Sequence, residues 1–132
     1  MSLCMRQLTR EWVAKAEGDL HSCLREIRAR KHPNYDSACF HAQQCVEKYL
    51  KGRLQEAGAA VPKTHNLEDL LSRLLPFEPQ WAALKASTML LSNYAVVFRY
   101  PGLRASKADA RKARAVCLAV RSTVRSSLGL RK

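Results

Sequence analysis

The stretch that decides the fold is residues 39–51, CFHAQQCVEKYLK. It contains no glycine or proline, and apolar residues recur in it every three or four positions, as they do on one face of a helix. The apolar positions in and beside it are Ala38, Ala42, Cys45, Val46, Tyr49 and Leu50. The sequence therefore predicts that this stretch lies inside one long helix that packs against other helices.

The same stretch carries a second stripe, made of polar side chains: His41, Gln44, Lys48 and Lys51. Residues three or four positions apart share a helix face. An imidazole, an amide and two ammonium groups on one face suit an anionic ligand with a flat polar part, such as a nucleotide. The alternative is that His41 is an ordinary interior histidine and that the lysines are simply exposed.

Outward from this stretch, helical periodicity and capping residues predict five helices. The expected ranges are 9–30 with Thr9 as N-cap, 35–57 closed by Gly58, 67–74 capped by Thr64 or Asn66, 79–98, and a last helix from the N-cap Ser106 to about residue 128. No strand candidate is found. We therefore expect one all-α domain over residues 1–132, an antiparallel up-and-down bundle of four long helices plus one short helix.

The predicted core follows from the apolar stripes of the long helices. It consists of Trp12, Leu20, Ile27, Ala42, Cys45, Val46, Tyr49, Leu84, Val116 and Val120, with Met89 as a further candidate. The second helix also carries Phe40 and Leu54 beside this stripe. Such extra apolar surface favours a homodimer, in which closed two-fold pairing covers it.

The charge balance is strongly basic, with 23 Lys and Arg against 11 Asp and Glu and a formal net charge of +12. Such an excess attracts anions, of which nucleic acid is the natural candidate and an acidic protein the other. Alternatively, it is a solvated surface without a dedicated ligand. In the last helix a basic stripe runs beside the apolar one: Lys107, Arg111, Arg114, Arg121 and Arg125. We expect this stripe to contact nucleic acid.

Several classes of protein are not expected. No run of eighteen apolar residues would span a membrane, and residues 1–6 lack the apolar core of a secretory signal, so we expect a cytoplasmic protein. The five cysteines include no Cys-x-x-Cys pair, which speaks against a disulfide framework or a zinc ribbon. His41 and Cys45 would need two more ligands to hold a metal. We expect neither a metal nor a cofactor.

Three segments together resemble the HEPN family, the small helical nucleotide-binding domains of prokaryotes and higher eukaryotes. They are residues 35–51 (YDSACFHAQQCVEKYLK), 62–67 (PKTHNL) and 94–102 (YAVVFRYPG). Their order and separations match as well, and the similarity covers nearly the whole chain. The resemblance implies an up-and-down helical bundle that is often a homodimer.

The resemblance also implies two kinds of activity. Many relatives are partners of a minimal nucleotidyltransferase, often in toxin–antitoxin pairs. Other relatives are metal-independent ribonucleases with an Arg followed, after four to six residues, by a His. Here Arg99 lies in the comparable region, but no histidine follows it, and the last one in the chain is His65. We therefore expect a nucleotide- or RNA-binding module and do not expect an enzyme.

Arg99, Tyr100 and His65 complete the expected ligand site. The planar guanidinium of Arg99 suits a phosphate, although it would equally pair with a carboxylate such as Glu47 and clamp two helices together. Tyr100 would stack on a base or merely pack. His65 precedes the third helix, where backbone N–H groups favour anions, although helix capping alone would explain Asn66.

We expect the pocket to lie between the second helix and the turn after the fourth, with Arg99 facing His41, Gln44 and Lys48. Two alternatives to a binding module remain open at this level. One is an endoribonuclease that uses Arg99 with His41 or His65 as a non-standard base. The other is an oligomerisation bundle without a ligand.

Overall fold

A computed structural model describes residues 5–132 of the chain. Its elements are α1 (Gln7–Arg28), α2 (Tyr35–Glu56), α3 (Leu67–Leu74), a 3₁₀ helix (Pro79–Leu84), α4 (Lys85–Val97) and α5 (Lys107–Ser127). These residues contain no β-strand. The predicted all-helical bundle of four long helices and one short helix is confirmed.

Helix α2 is the central element and contacts every other α-helix. At its start Asp36 accepts a hydrogen bond from the Ala105 N–H, and near its end Arg53 donates to Ser127 at the end of α5. Helix α5 therefore runs in the same direction as α2, whereas α1 and α4 run in the opposite direction.

The core is largely the predicted one. Of the predicted residues, the structure buries Leu20, Ile27, Ala42, Cys45, Val46, Tyr49 and Val120. Trp12, Leu84 and Val116 are only half-buried. Met89, expected inside, is 53% exposed, because the core-facing side of α4 is formed by Thr88, Leu91 and Tyr94. Leu54 is buried, so it does not add to an exposed apolar surface beside Phe40.

The start of α1 differs from the prediction. The N-cap is Arg6, which makes no side-chain capping bond. Thr9 is fully buried in the first turns, and its hydroxyl donates to Glu56 at the end of α2. Thr9 therefore ties α1 to α2 instead of capping a helix, a long-range contact that local cap preferences cannot show.

The other caps follow the local sequence. Asn66, not Thr64, caps α3 by accepting from the Asp69 N–H at 2.9 Å. Ser106 and Asp109 form a reciprocal capping box at α5. Residues 79–84, predicted as the first turns of the fourth helix, form a 3₁₀ helix. Such turns are common at helix N-termini, and this one buries Trp81.

Candidate functional site

Two buried carboxylates organise the polar stripe of α2. Glu47 on α2 is 2% exposed and Asp19 on α1 is 9% exposed. Each binds one histidine and one lysine. A buried carboxylate needs such partners, because an unpaired charge in the interior is strongly unfavourable.

Glu47 lies at the centre of the first group. It accepts from Lys51 Nζ at 3.2 Å and from Gln44 Nε2 at 3.3 Å, and both of its oxygens lie 3.1 Å from His65 Nδ1. Gln43 donates from Nε2 to the backbone oxygen of His65 at 3.2 Å. These contacts fasten the segment before α3 onto α2.

The orientation of the His65 ring follows from this contact. A carboxylate accepts only, so Nδ1 of His65 carries the hydrogen that bridges to Glu47. Nε2 is then the free nitrogen, and the side chain is 79% exposed. The buried Glu47 thus holds an imidazole whose other nitrogen is open to a ligand.

Asp19 organises the second group on the other flank of the stripe. It accepts from His41 Nδ1 at 2.8 Å and from Lys48 Nζ. Both α2 side chains are therefore paired with α1 and serve to join the two helices. The sequence prediction had assigned His41 and Lys48 to the ligand.

A cavity of about 230 Å³ lies between α2, the start of α3 and the end of α4. Most of the residues that line it are polar: Gln43, Gln44, His65, Asn66, Glu68, Ser92 and Arg99, together with Ala95 and Val96. Arg99 is exposed, and among residues 5–132 no carboxylate lies within 4.0 Å of its guanidinium. An interhelix clamp between Arg99 and Glu47 is therefore wrong, and the guanidinium is available to a ligand.

The structure brings together part of the predicted ligand set. Gln44, His65 and Arg99 line one cavity. Lys51, expected to be exposed, is 5% exposed and lies between Glu47 and the ring of Trp12, 5.6 Å from the ring centroid. Its charge is thus already compensated.

Tyr100 is 59% exposed and lies outside the residues that line the cavity. His41 and Lys48, predicted to face Arg99, are not among the residues that line this cavity, and both are paired with Asp19 of α1.

The basic stripe of α5 divides into two halves. In the first half Lys107 and Arg111 are exposed and Arg114 is half-buried. In the second half Arg121 donates two hydrogen bonds of 2.7 Å to Glu17, and Arg125 donates to the hydroxyl of Tyr49 at 3.1 Å. The first half is free to meet an anion, whereas Arg121 and Arg125 join α5 to α1 and α2.

The Glu17–Arg121 pair also shifts the ionisation of both groups. The two hydrogen bonds from Arg121 lower the pKa of Glu17 from 4.5 to about 2, against an opposing effect of burial. The same pair raises the pKa of Arg121. The fork geometry of the guanidinium accounts for this, because it offers two parallel donors to one carboxylate.

Four polar residues near this face were not predicted from the sequence: Asp19, Gln43, Glu68 and Ser92. Asn66 had been seen only as a cap. The Glu47–Lys51 pair did have a local signal, since opposite charges four apart on a helix attract. Asp19 had no such local signal, because it lies beside His41 only through the packing of α1 on α2.

The described cysteines are structural. Cys23, Cys39, Cys45 and Cys117 are buried free thiols, and Cys4 lies outside the described residues. Burial raises the pKa of Cys23 and of Cys39 to about 12, so these thiols are not nucleophiles at neutral pH. Within residues 5–132 no group of three or more His, Cys, Asp or Glu is arranged to hold a metal ion. In the same range no helix has the length and apolar character needed to cross a bilayer.

Comparison with known proteins agrees with this architecture. The protein TT1696 from Thermus thermophilus has a similar crystal structure, with a TM-score of 0.76 at 22% sequence identity over 92% of this chain and 98% of that chain. At this identity the likeness establishes the fold alone. No curated protein sequence matches the chain. The family model of the HEPN domain matches residues 9–127. Since this match spans nearly all of the 132 residues, the chain belongs to the HEPN domain family.

Proposed function

We propose that this protein is a nucleotide- or RNA-binding module whose ligand occupies the cavity lined by Gln44, His65 and Arg99. The observation that carries the proposal is the convergence of these three side chains from α2, the segment before α3, and the end of α4. Bundle ligand sites are commonly built in this way, from side chains on separate helices. Membership in a family of nucleotide-binding helical domains supports the same conclusion.

Each side chain has a part that suits a nucleotide. Arg99 offers a planar fork to a phosphate, and no carboxylate of residues 5–132 lies within 4.0 Å of its guanidinium. His65 presents Nε2, and Gln44 presents its amide beside it. The exposed cations at the start of α5 attract longer polyanions to the domain.

Titration of the wild-type protein with GMP and with a short single-stranded RNA tests the proposal. Arg99→Ala should abolish binding of both, and Arg99→Lys should recover little, because an ammonium cannot reproduce the bidentate fork. Arg104→Ala is the matched control, since Arg104 is an exposed arginine that lines a different surface cavity. Unchanged affinity in Arg99→Ala would refute the proposed site.

A metal-independent ribonuclease is the second candidate, and one observation favours it. The Nδ1 of His65 is held by buried Glu47, which leaves Nε2 unengaged, and His65 lines the same cavity as Arg99, as a general base near a phosphate donor would. The expected result is binding without robust cleavage, since no histidine follows Arg99. RNA cleavage that persists in EDTA and disappears in His65→Ala would establish the enzyme instead.

We further propose a homodimer that acts in the cytoplasm as the partner of a minimal nucleotidyltransferase, in a toxin–antitoxin arrangement. Exposed apolar side chains support an association surface. They include Met89, Tyr100 and Leu103. Sedimentation should give a dimer at tens of micromolar, and a monomer would contradict this.

Co-expression with the product of an adjacent nucleotidyltransferase gene should give one co-eluting complex. Separate elution would refute the partnership and leave nucleotide binding untouched.

A further inference from the structure

Arg99 borders a second cavity besides the one already described. This second cavity, of about 330 Å³, is lined on one side by Phe40, Tyr94 and Phe98 and on another by Asp36 and Ser37. Ala95 and Arg99 line both cavities. The two cavities are therefore neighbours on one surface, and Arg99 lies at their shared border.

The two cavities also share the floor formed by α2. Phe40 lines the second cavity and Gln44 the first. Residues four apart on a helix face have Cβ atoms roughly 6 Å apart. Pockets for whole drug-sized ligands begin at about 300 Å³. The cavities, of about 230 Å³ and 330 Å³, lie below and near this lower bound, so each is small for a complete dinucleotide and suits one base-sized group.

We propose that the two cavities form one binding site for a dinucleotide step of single-stranded RNA, with Arg99 on the bridging phosphate and guanine in the polar cavity. The inference rests on the proposed function and specifies its ligand. In a dinucleotide, one phosphate lies between two bases. In this site, Arg99 lies between the polar cavity and the aromatic cavity, so the two orders match. Single-stranded RNA can supply this shape, because its bases can be unstacked and splayed apart.

The polar cavity favours guanine because its walls offer hydrogen-bond acceptors. Gln44 uses its Nε2 on Gln43 and Glu47, which leaves its Oε1 as an acceptor. The Glu68 carboxylate accepts from Ser92 at 3.2 Å and retains further acceptor capacity. The base edge that complements these oxygens carries adjacent N–H donors. Guanine offers N1–H and N2–H in this way, whereas adenine offers an acceptor at N1.

The second cavity favours stacking without a base preference. Phe40 is 39% exposed and offers the accessible ring, while the buried Tyr94 and the half-buried Phe98 line the cavity with ring centroids 5.2 Å apart. An exposed aromatic side chain stacks on any base, because every base has a π-face. The aromatic cavity therefore adds affinity, and the polar cavity adds selectivity.

Calorimetric titration with GMP, GpG and ApA tests this proposal. GpG fills both cavities in either chain direction, so the test does not depend on strand polarity. GpG should bind at least about tenfold more tightly than GMP, and ApA more weakly than GpG. Phe40→Ala should remove most of the advantage of GpG over GMP. Phe77→Ala is the matched control, because it removes a similarly exposed phenylalanine, which packs against Arg53. This variant should still bind GpG more tightly than GMP.

Glu68→Gln tests the guanine preference, since it replaces an acceptor oxygen by a donor group. The affinity of this variant for GpG should be about tenfold lower than that of the wild type, close to its affinity for ApA. Equal affinities of GpG and GMP, or a Phe40→Ala variant that keeps the difference, would overturn the two-cavity site while nucleotide binding stands. A failure of all three probes to bind would instead refute the proposed function itself.

Discussion

At the scale of single residues, Glu47 and His65 have separate roles although they are in contact. Glu47 is buried and compensates the charge of Lys51, which is itself buried against Trp12. The side chain of His65 is 79% exposed and contributes little packing. The carboxylate is therefore needed for the fold, and the imidazole is free for the ligand.

This division predicts different effects of two substitutions on the free energy of unfolding. Glu47→Gln should lower it by about 3 kcal/mol, because the buried Lys51 ammonium loses its counter-charge. His65→Ala should lower it by less than about 1 kcal/mol, since little is buried there. Urea unfolding of the two variants measures both values. A His65→Ala variant destabilised as much as Glu47→Gln would show that the ring is structural.

The sequence predicted the residues of the α2 stripe but not their partners. Helical periodicity is local, so it correctly placed His41, Gln44 and Lys48 on one face. Which carboxylates pair with this stripe depends on how α1 packs on α2. The residues around Asp19 in the sequence do not indicate that it contacts α2. The cavity that Arg99 lines is bordered by His65 and not by His41, which the helical period of α2 could not show.

At the scale of elements, α5 combines two functions along one face. Its N-terminal turns expose Lys107 and Arg111, whereas its C-terminal half fastens the bundle through Arg121 and Arg125. The helical period shows that all these cations share a face. It cannot show that Glu17 of α1 faces only the second half of the stripe.

The Glu17–Arg121 pair predicts a pH dependence of stability. Because the folded-state pKa of Glu17 is about 2 and its ordinary value is 4.5, the unfolded state binds more protons between these values. The contribution of the pair is therefore complete above about pH 5 and is lost as the pH falls toward 2. Glu17→Gln should be less stable at neutral pH by about 1–3 kcal/mol.

Urea unfolding at about pH 7, 5 and 2.5 checks this, over the range in which the carboxylate is protonated. The difference between wild type and Glu17→Gln should shrink as the pH falls. A difference that stays constant down to the lowest pH would mean that the pair does not stabilise the fold.

At the scale of the whole molecule, the net charge is +12, but only some of the cations are free to meet an anion. Lys48, Lys51, Arg121 and Arg125 are engaged inside the bundle. The cations that remain exposed on α5 are at its start, near the end of the bundle that also contains the turn after α4. Long-range attraction and the candidate cavity are therefore associated with the same end of the molecule.

RNA binding should consequently weaken as salt rises. For a single strand the slope of log affinity against log salt is about −0.7 per phosphate contacted. Arg111→Glu should reduce the slope by about one such contact and weaken binding equally for all sequences. Lys85→Glu, at the opposite end of α4, is the control for net charge. An RNA affinity that does not change with salt concentration would exclude α5 as the RNA-binding surface. So would a Lys85→Glu variant that loses as much RNA affinity as Arg111→Glu.

The central claim is that a nucleotide binds between α2, the segment before α3, and the end of α4. Amide chemical-shift mapping of the isotope-labelled protein during a GMP titration tests it most directly. The largest shifts should fall in residues 43–47, 65–68 and 92–99, and they should vanish in Arg99→Ala. Shifts confined to residues 107–114, or no shifts at saturating GMP, would contradict the claim.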